Sequence, residues 1–261
     1  IASLRGSISF TGANTGPFRT WSSFLFMANE FNTNGDFVDS RIRFSNSASL
    51  PGRSSIRAAL NFSPSTFDDR SSRGNGLFRI DRRWGFQTRY ESDPTRPLAF
   101  RIGLEGEHED LGGWKTSAQL GLAYAPSDRL SVVALLDYVT HDGWLLHQGG
   151  QDFTTFEADE WKPKLNLDVF FTAKQQLRLS FQWAGVSARE QAFYQVPGTP
   201  SRLITVADDG DSDNFAISNL TLQMRYRWQI APLSDLFVVY TRASNPCLLY
   251  TSPSPRDSIA S

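Results

Sequence analysis

Residues 114–140, WKTSAQLGLAYAPSDRLSVVALLDYVT, decide the fold. In the first half Trp114, Thr116, Ala118, Leu120, Leu122 and Tyr124 alternate with Lys115, Ser117, Gln119, Gly121 and Ala123. In the second half Leu130, Val132, Ala134, Leu136 and Tyr138 share one face, against Arg129, Ser131 and Asp137, with Val133 and Leu135 as exceptions. A period of two places successive side chains on opposite faces of an extended strand, whereas a helix would repeat near 3.6. Between the halves lies APSD, whose Pro and Asp favour a tight turn. The stretch therefore reads as a β-hairpin with one apolar and one polar face.

The unit recurs. KPKLNLDVFFT sets Leu165, Leu167, Val169 and Phe171 against Lys164, Asn166 and Asp168. After the turn AKQ, QLRLSFQW sets Leu177, Leu179, Phe181 and Trp183 against Arg178, Ser180 and Gln182. A third copy places Leu220, Leu222, Met224, Tyr226 and Trp228 opposite Asn219, Thr221, Gln223, Arg225 and Arg227, then turns at APLSD into LFVVYTR. Earlier strands are expected near 3–11, 19–29, 37–45, 54–63, 76–90 and 97–108. In the fifth of these Arg82 breaks the alternation of Phe78, Ile80, Trp84, Phe86 and Tyr90 with Arg79, Asp81, Arg83, Gln87 and Arg89. The total is about twelve strands.

The 261 residues suffice for one large all-β domain or two smaller ones. With 20% charged residues and a formal net charge of −1, the chain lacks the basic bias of a nucleic-acid binder. It has no apolar run long enough for a transmembrane helix. A mean hydropathy of −0.34 leaves a membrane β-barrel open, because alternating strands average out their apolar face. The chain opens on Ile1 directly in strand pattern with no signal-peptide pattern, and its start reads as a cut edge. A single cysteine, Cys247, permits no internal disulfide and no cysteine zinc cage.

Three features favour a membrane barrel over a soluble sheet. The clearest strands run about 9–12 residues, which matches the ~9–11 needed to cross a bilayer at a tilt. Connections on one side are short turns, while 142–161 and 187–214 read as long polar loops on the other, the asymmetry of outer-membrane barrels. Aromatics on the apolar face fall at two levels. Tyr124, Phe171, Tyr226 and Trp228 lie toward the short turns, and Trp114, Tyr138 and Trp183 toward the loops, with Leu, Val and Ala between. The fold expected over residues 1–244 is thus an all-β, antiparallel, up-and-down transmembrane β-barrel, truncated and part of a larger one. Its lumen would be lined by Arg79, Arg83, Arg89, Arg101, Asp137, Asp168, Arg178, Arg225 and Arg227. These would form either a salt-bridge network or an attraction for anionic solutes.

Other constellations are weaker. His108, His141 and His147 fall at expected loops, near Glu105, Glu107, Glu109, Asp110 and Asp142. They could build a hydrolytic site at the barrel lip only if the fold brings them within hydrogen-bond reach of a nucleophile or carboxylate. Asp208, Asp209, Asp211 and Asp213 offer oxygen ligands suited to Ca²⁺ but lack EF-hand spacing, and a solvated acidic loop is the preferred reading. No phosphate loop, nucleophile elbow or zinc motif occurs, so neither catalytic residues nor a cofactor are assigned.

The segments FDDRSSRGNGLFRIDRRWGFQTRYESDPTRPLAFRIGLEGE, FTAKQQLRLSFQWAGVSAREQAF and LTLQMRYRWQIAPLSDLFVVYTR resemble a bacterial outer-membrane domain family of unassigned function. In that family a large β-barrel follows an N-terminal carbohydrate-binding module of the family-9 type. The resemblance covers most of residues 10–243. It departs at Arg73, Gly74, Asn75 and Gly76, where the family tends to Arg-Gly-Gly-Pro, and at the end, where the family continues to a closing aromatic strand. It implies a Gram-negative outer membrane, lipid as partner, and a role in anchoring or in passing a ligand, carbohydrate or another small solute. A hydrolase at the lip and a soluble all-β binding module are the alternatives. CLLYTSPSPRDS, residues 247–258, resembles translated sequencing adapter, so 245–261 is expected to be a disordered, non-native tail in which Cys247 has no function.

Overall fold

The computed structural model describes residues 2–208, 210, 212–244 and 247–248. Strands are β1 (Ala2–Thr15), β2 (Phe18–Phe31), β3 (Phe37–Ser49), β4 (Ser55–Ser63), β5 (Thr66–Asp68), β6 (Phe78–Ile80), β7 (Arg83–Glu91) and β8 (Leu98–His108). They continue as β9 (Trp114–Ser127), β10 (Leu130–Gly149), β11 (Asp152–Thr172), β12 (Gln175–Gln195), β13 (Ile204–Val206), β14 (Phe215–Ala231), β15 (Ser234–Ser244) and β16 (Cys247–Leu248). One 3₁₀ turn, Pro51–Arg53, is the only helical element among the described residues.

Twelve of these strands form one antiparallel sheet in chain order, β1-β2-β3-β4-β7-β8-β9-β10-β11-β12-β14-β15. Most neighbours join through tight connections, as alternating strands and turn residues dictate; the exceptions are the long connections 64–82 between β4 and β7 and 196–214 between β12 and β14. β5 and β6 make a separate hairpin, and β13 adds to β12. β16 stays on the register line of β15: Ser244 lies opposite Leu220 and Cys247 opposite Ile217. The tail expected to be disordered otherwise falls outside the described residues. The sheet is not closed: β1 and β15 are its two edges and do not pair with each other.

Cross-strand partners share a face, so the register shows that the alternation adds up across the sheet. Leu104, Ala118, Tyr138 and Trp161 form one row, and Ile102, Leu120, Leu136 and Pro163 another. The opposite face carries Arg57 opposite Arg89, Glu105 opposite Gln87, and Asp137 opposite Gln119. The apolar face is bare. Among the described residues 33 large apolar side chains are exposed, whereas only 10 hydrophobic residues are buried. Leu120 is 52% exposed, and Leu167, Leu179 and Leu222 are half-buried by their neighbours in the sheet. These leucines do not form the core that a soluble module requires.

The polar face is the concave one. Arg89 of β7 and Lys162 of β11 line a single hollow, although four strand spacings of ~4.8 Å would hold their backbones about 19 Å apart in a flat sheet.

The long ends differ from expectation. Segments 142–161 and 187–214 read as loops in the sequence, but β10 and β11 extend to Gly149 and from Asp152, and β12 runs to Gln195. The expected strand 76–90 is two strands, β6 and β7, interrupted at Asp81–Arg82. The connection 64–82, here called the strap, carries β5 and β6 and spans the loop end of the sheet. On one side Arg70 pairs with Glu30 of β2 at 3.1 Å, and Asn32 donates to Asp69 at 3.2 Å. On the other, Phe78 and Ile80 are buried with Phe153, Val196 and Leu203, the Arg79 amide donates to Ser201 O at 2.8 Å, and Arg202 pairs with Asp81 at 2.9 Å.

Candidate functional site

The concave polar face is the candidate site, because it is where charged side chains converge and where the hollows open. Seven of the nine expected lumen residues stand on it in the strands themselves. Arg101 pairs with Glu91 at 2.9 Å. Asp168 accepts from Arg178 Nε at 2.9 Å and from Gln176 Nε2 at 2.8 Å. Asp137 accepts from Gln119 Nε2 at 2.6 Å. Arg227 pairs with Asp235 at 3.0 Å, and the Arg225 guanidinium lies 4.7 Å from the Phe237 ring centroid, a cation–π contact. Arg89 stands opposite Arg57, and among the described residues no carboxylate pairs with it.

The other two differ. Arg83 opens β7 on the polar face but turns to the 109–113 loop, where it pairs with Asp110. Burial lifts the Asp110 carboxyl above its usual range, and the Arg83 guanidinium opposes that shift. Arg79 does not line the concave face. It lies in β6 of the strap, exposed, and donates to Ser65 Oγ at 2.9 Å. Its alternation with Phe78 and Ile80 is real but belongs to a three-residue strand outside the main sheet.

Five further residues stand on the polar face beyond the expected lumen set, Gln87 and Gln119 with polar parity already noted: Arg43, Arg57, Gln87, Gln119 and Lys162. Arg43 donates to Asn61 Oδ1 at 3.1 Å and to Gln87 Oε1 at 3.0 Å. The signal that could have found Arg43, Arg57 and Gln87 is the odd-numbered phase of β3, β4 and β7, which carries Arg on each strand; Gln119 and Lys162 follow from the phase of Asp137, their cross-strand partner.

The histidines separate. His141 is buried between two carboxylates, with Nδ1 2.7 Å from Glu109 Oε1 and Nε2 3.2 Å from Glu160 Oε1. Glu160 also pairs with Lys162, and Trp144 stacks on the imidazole at 4.8 Å. The cluster clamps the 109–113 loop to β10 and β11. Both ring nitrogens are occupied, so neither is open to take a proton from a nucleophile. His108 packs edge-on against Trp114 at 4.2 Å, and His147 Nε2 lies 2.9 Å from Gly150 O. Of the acidic stretch, Asp208 accepts from the Gly210 amide at 2.7 Å and Asp213 from Thr154 Oγ1 at 2.7 Å. Asp209 and Asp211 lie outside the described residues. Among the described residues no group of three or more His, Cys, Asp or Glu could hold a metal ion.

All seven expected girdle aromatics stand on the apolar face. Toward the loop end Tyr138 OH donates to Asp159 Oδ1 at 2.6 Å, and Trp183 Nε1 donates to Ser218 Oγ at 2.9 Å. Trp161 joins Tyr138 there at 4.2 Å between ring centroids, and Phe62 meets Trp84 at 4.3 Å. Toward the short turns Tyr124, Phe171, Tyr226 and Trp228 are accompanied by Tyr90 and Phe100, 5.7 Å apart. Some rings lie flat over glycine: a Cβ at Gly106 would sit 2.5 Å from the Phe86 ring, and one at Gly185 2.5 Å from Trp183. Only glycine leaves the sheet surface open to these rings.

A family model described as a domain of unknown function, DUF5916, matches residues 7–252. No curated protein and no solved structure matches the chain.

Proposed function

The chain belongs to the DUF5916 family, and from that premise we propose that it is the barrel-forming part of a Gram-negative outer-membrane protein, non-enzymatic, that anchors in lipid and passes or holds a small polar solute. The observation that carries this reading is the exposed apolar face of twelve successive strands, with hydrogen-bonded Tyr and Trp toward its ends. Soluble monomers rarely expose a contiguous apolar patch beyond a few hundred Å². Rings with one apolar and one wet side suit the bilayer interface. Polar, ion-paired side chains on the concave side suit a watery interior. The resemblance to domains that follow a sugar-binding module makes carbohydrate the first solute to try.

Gel mobility with and without boiling, after refolding in detergent, tests the membrane reading. A heat-modifiable band is expected. A chain that stays monomeric and soluble without detergent, with no such band, overturns it.

One observation favours the hydrolase alternative: His141 lies beside the carboxylates of Glu109 and Glu160. Its burial and its two occupied nitrogens make it a structural clamp in the present reading. Esterase and glycosidase assays with a His141→Gln variant decide the matter, since hydrolysis lost in the variant would restore the alternative.

A further inference from the structure

We propose that Arg43, Arg57 and Arg89 form a binding subsite for the phosphate group of a small solute. It deepens the solute-passage reading and rests on it for the route by which the ligand arrives.

The three arginines come from adjacent strands β3, β4 and β7. Arg57 and Arg89 are directly opposed cross-strand partners. Like charges in that position repel, so the pair is a cost to the sheet unless an anion offsets it. Arg43 is held toward them: its guanidinium donates to Gln87 Oε1 at 3.0 Å, and Gln87 is the next residue on the same face as Arg89. All three line one hollow of about 350 Å³, completed by the hydroxyls of Ser22, Ser45 and Ser47. Among the described residues no Asp or Glu lines it.

The contrast with the rest of the concave face is the informative part. Arg5, Arg83, Arg101, Arg178 and Arg227 each have a carboxylate within 4.0 Å. Among the described residues Arg43, Arg57 and Arg89 have none; Arg41 and Arg225 share that lack, but Arg225 lies on the Phe237 ring and neither lines this hollow. The nearby acids face elsewhere: Glu91 pairs with Arg101, while Glu105 and Asp137, in the neighbouring hollow that Arg89 also borders, accept from Gln87 and Gln119. Planar guanidiniums on a hydroxyl-lined concavity match the geometry of phosphate oxygens. Three guanidiniums without an ion-paired carboxylate favour a dianion over a monocarboxylate.

Isothermal titration of the full chain refolded in detergent, at fixed ionic strength, tests the site with inorganic phosphate, sulfate and glucuronate. Phosphate is expected to bind one-to-one and more tightly than glucuronate. Arg57→Gln and Arg89→Gln should each weaken phosphate about tenfold or more, as loss of a charged hydrogen bond does. Arg96→Gln, in the turn between β7 and β8, should stay within twofold. Equal affinity in all variants, or tighter glucuronate than phosphate, overturns the subsite. If the refolded chain shows the heat-modifiable band yet binds no phosphate, the subsite falls and the membrane reading stands. If the chain is soluble without detergent, the same titration in plain buffer judges the subsite alone.

Discussion

Replacing Phe78 by Ala should loosen the strap while leaving the sheet folded. The Phe78 ring is fully buried and meets Phe153 edge-to-face at 5.2 Å, beside Ile80, Val196 and Leu203. Truncation of a buried Phe costs about 3–5 kcal/mol. These contacts belong to the strap and not to the ladder of the main sheet, so the cost falls on the local opening equilibrium of residues 64–82. At about 1.4 kcal/mol per tenfold, the open population rises roughly 100- to 4,000-fold. Relaxation at this peripheral site favours the lower end. Limited trypsin digestion reads the change directly, because Arg70, Arg73, Arg79 and Arg82 all lie in the strap. Cleavage follows the open population when reclosing outpaces the protease. The variant should be cut at these arginines at least a hundredfold faster, with its heat-modifiable band retained. Cleavage at the wild-type rate, or loss of the band with no gain in strap cleavage, would refute the assignment of Phe78 to a separate, locally opening unit.

Leu120→Arg places a charge at the centre of the apolar face and should cost about 2–4 kcal/mol of folding into vesicles, whereas Ser117→Arg, on the concave face, should be tolerated; equal effects in a vesicle-folding titration would count against the lipid-facing assignment. Arg83→Ala leaves the half-buried Asp110 without its cation and should lower the stability of the 109–113 loop by about 1–3 kcal/mol, read by hydrogen exchange at Leu111 to Gly113; Asp110→Asn in the same background should recover part of it. Hydrogen bonds from the Thr95 hydroxyl and amide hold the Asp93 carboxyl below its usual range. Its contribution to the 92–97 turn is therefore full above the ordinary carboxylate value near ~4 and lost as pH falls through the lowered one. Amide exchange at Thr95 should show that loss in the wild type and not in Asp93→Asn.

The alternation in 114–140 carried the hairpin, its faces and its neighbours, because each strand there is wet on one side and apolar on the other. The same reasoning failed at 142–161 for a physical cause. In β11 the run Phe153, Thr154, Thr155 and Phe156 is buried on both faces. Phe153 is covered by the strap, and Phe156 by Trp144 and Phe215. A strand covered on both sides has no reason to alternate, so its sequence reads as a loop. Arg79 failed in the opposite way, with good alternation in a segment too short to belong to the sheet. The strap itself was invisible because its partners are remote: Asp81 and Arg202 are 121 positions apart. The arginine trio sat in plain view on three strands. What the sequence hid was the register that puts Arg57 opposite Arg89, and that the acids nearby bond to other partners.

The strap also acts as a chord across an arc. It ties the second strand of the sheet, through Glu30, to the strands around the tenth, through Phe153, Ser201 and Arg202. Its middle is folded into turns, with Arg73 N on Arg70 O at 2.9 Å and Asn75 N on Ser72 O at 3.0 Å, so its reach is short. Flattening the sheet would carry strands two and ten to about 38 Å apart at ~4.8 Å per strand. The folded strap cannot follow that far without releasing one anchor. Curvature here is thus set by a tether at one rim as well as by strand twist, and cutting the tether should let that rim spread while the short-turn rim holds its radius.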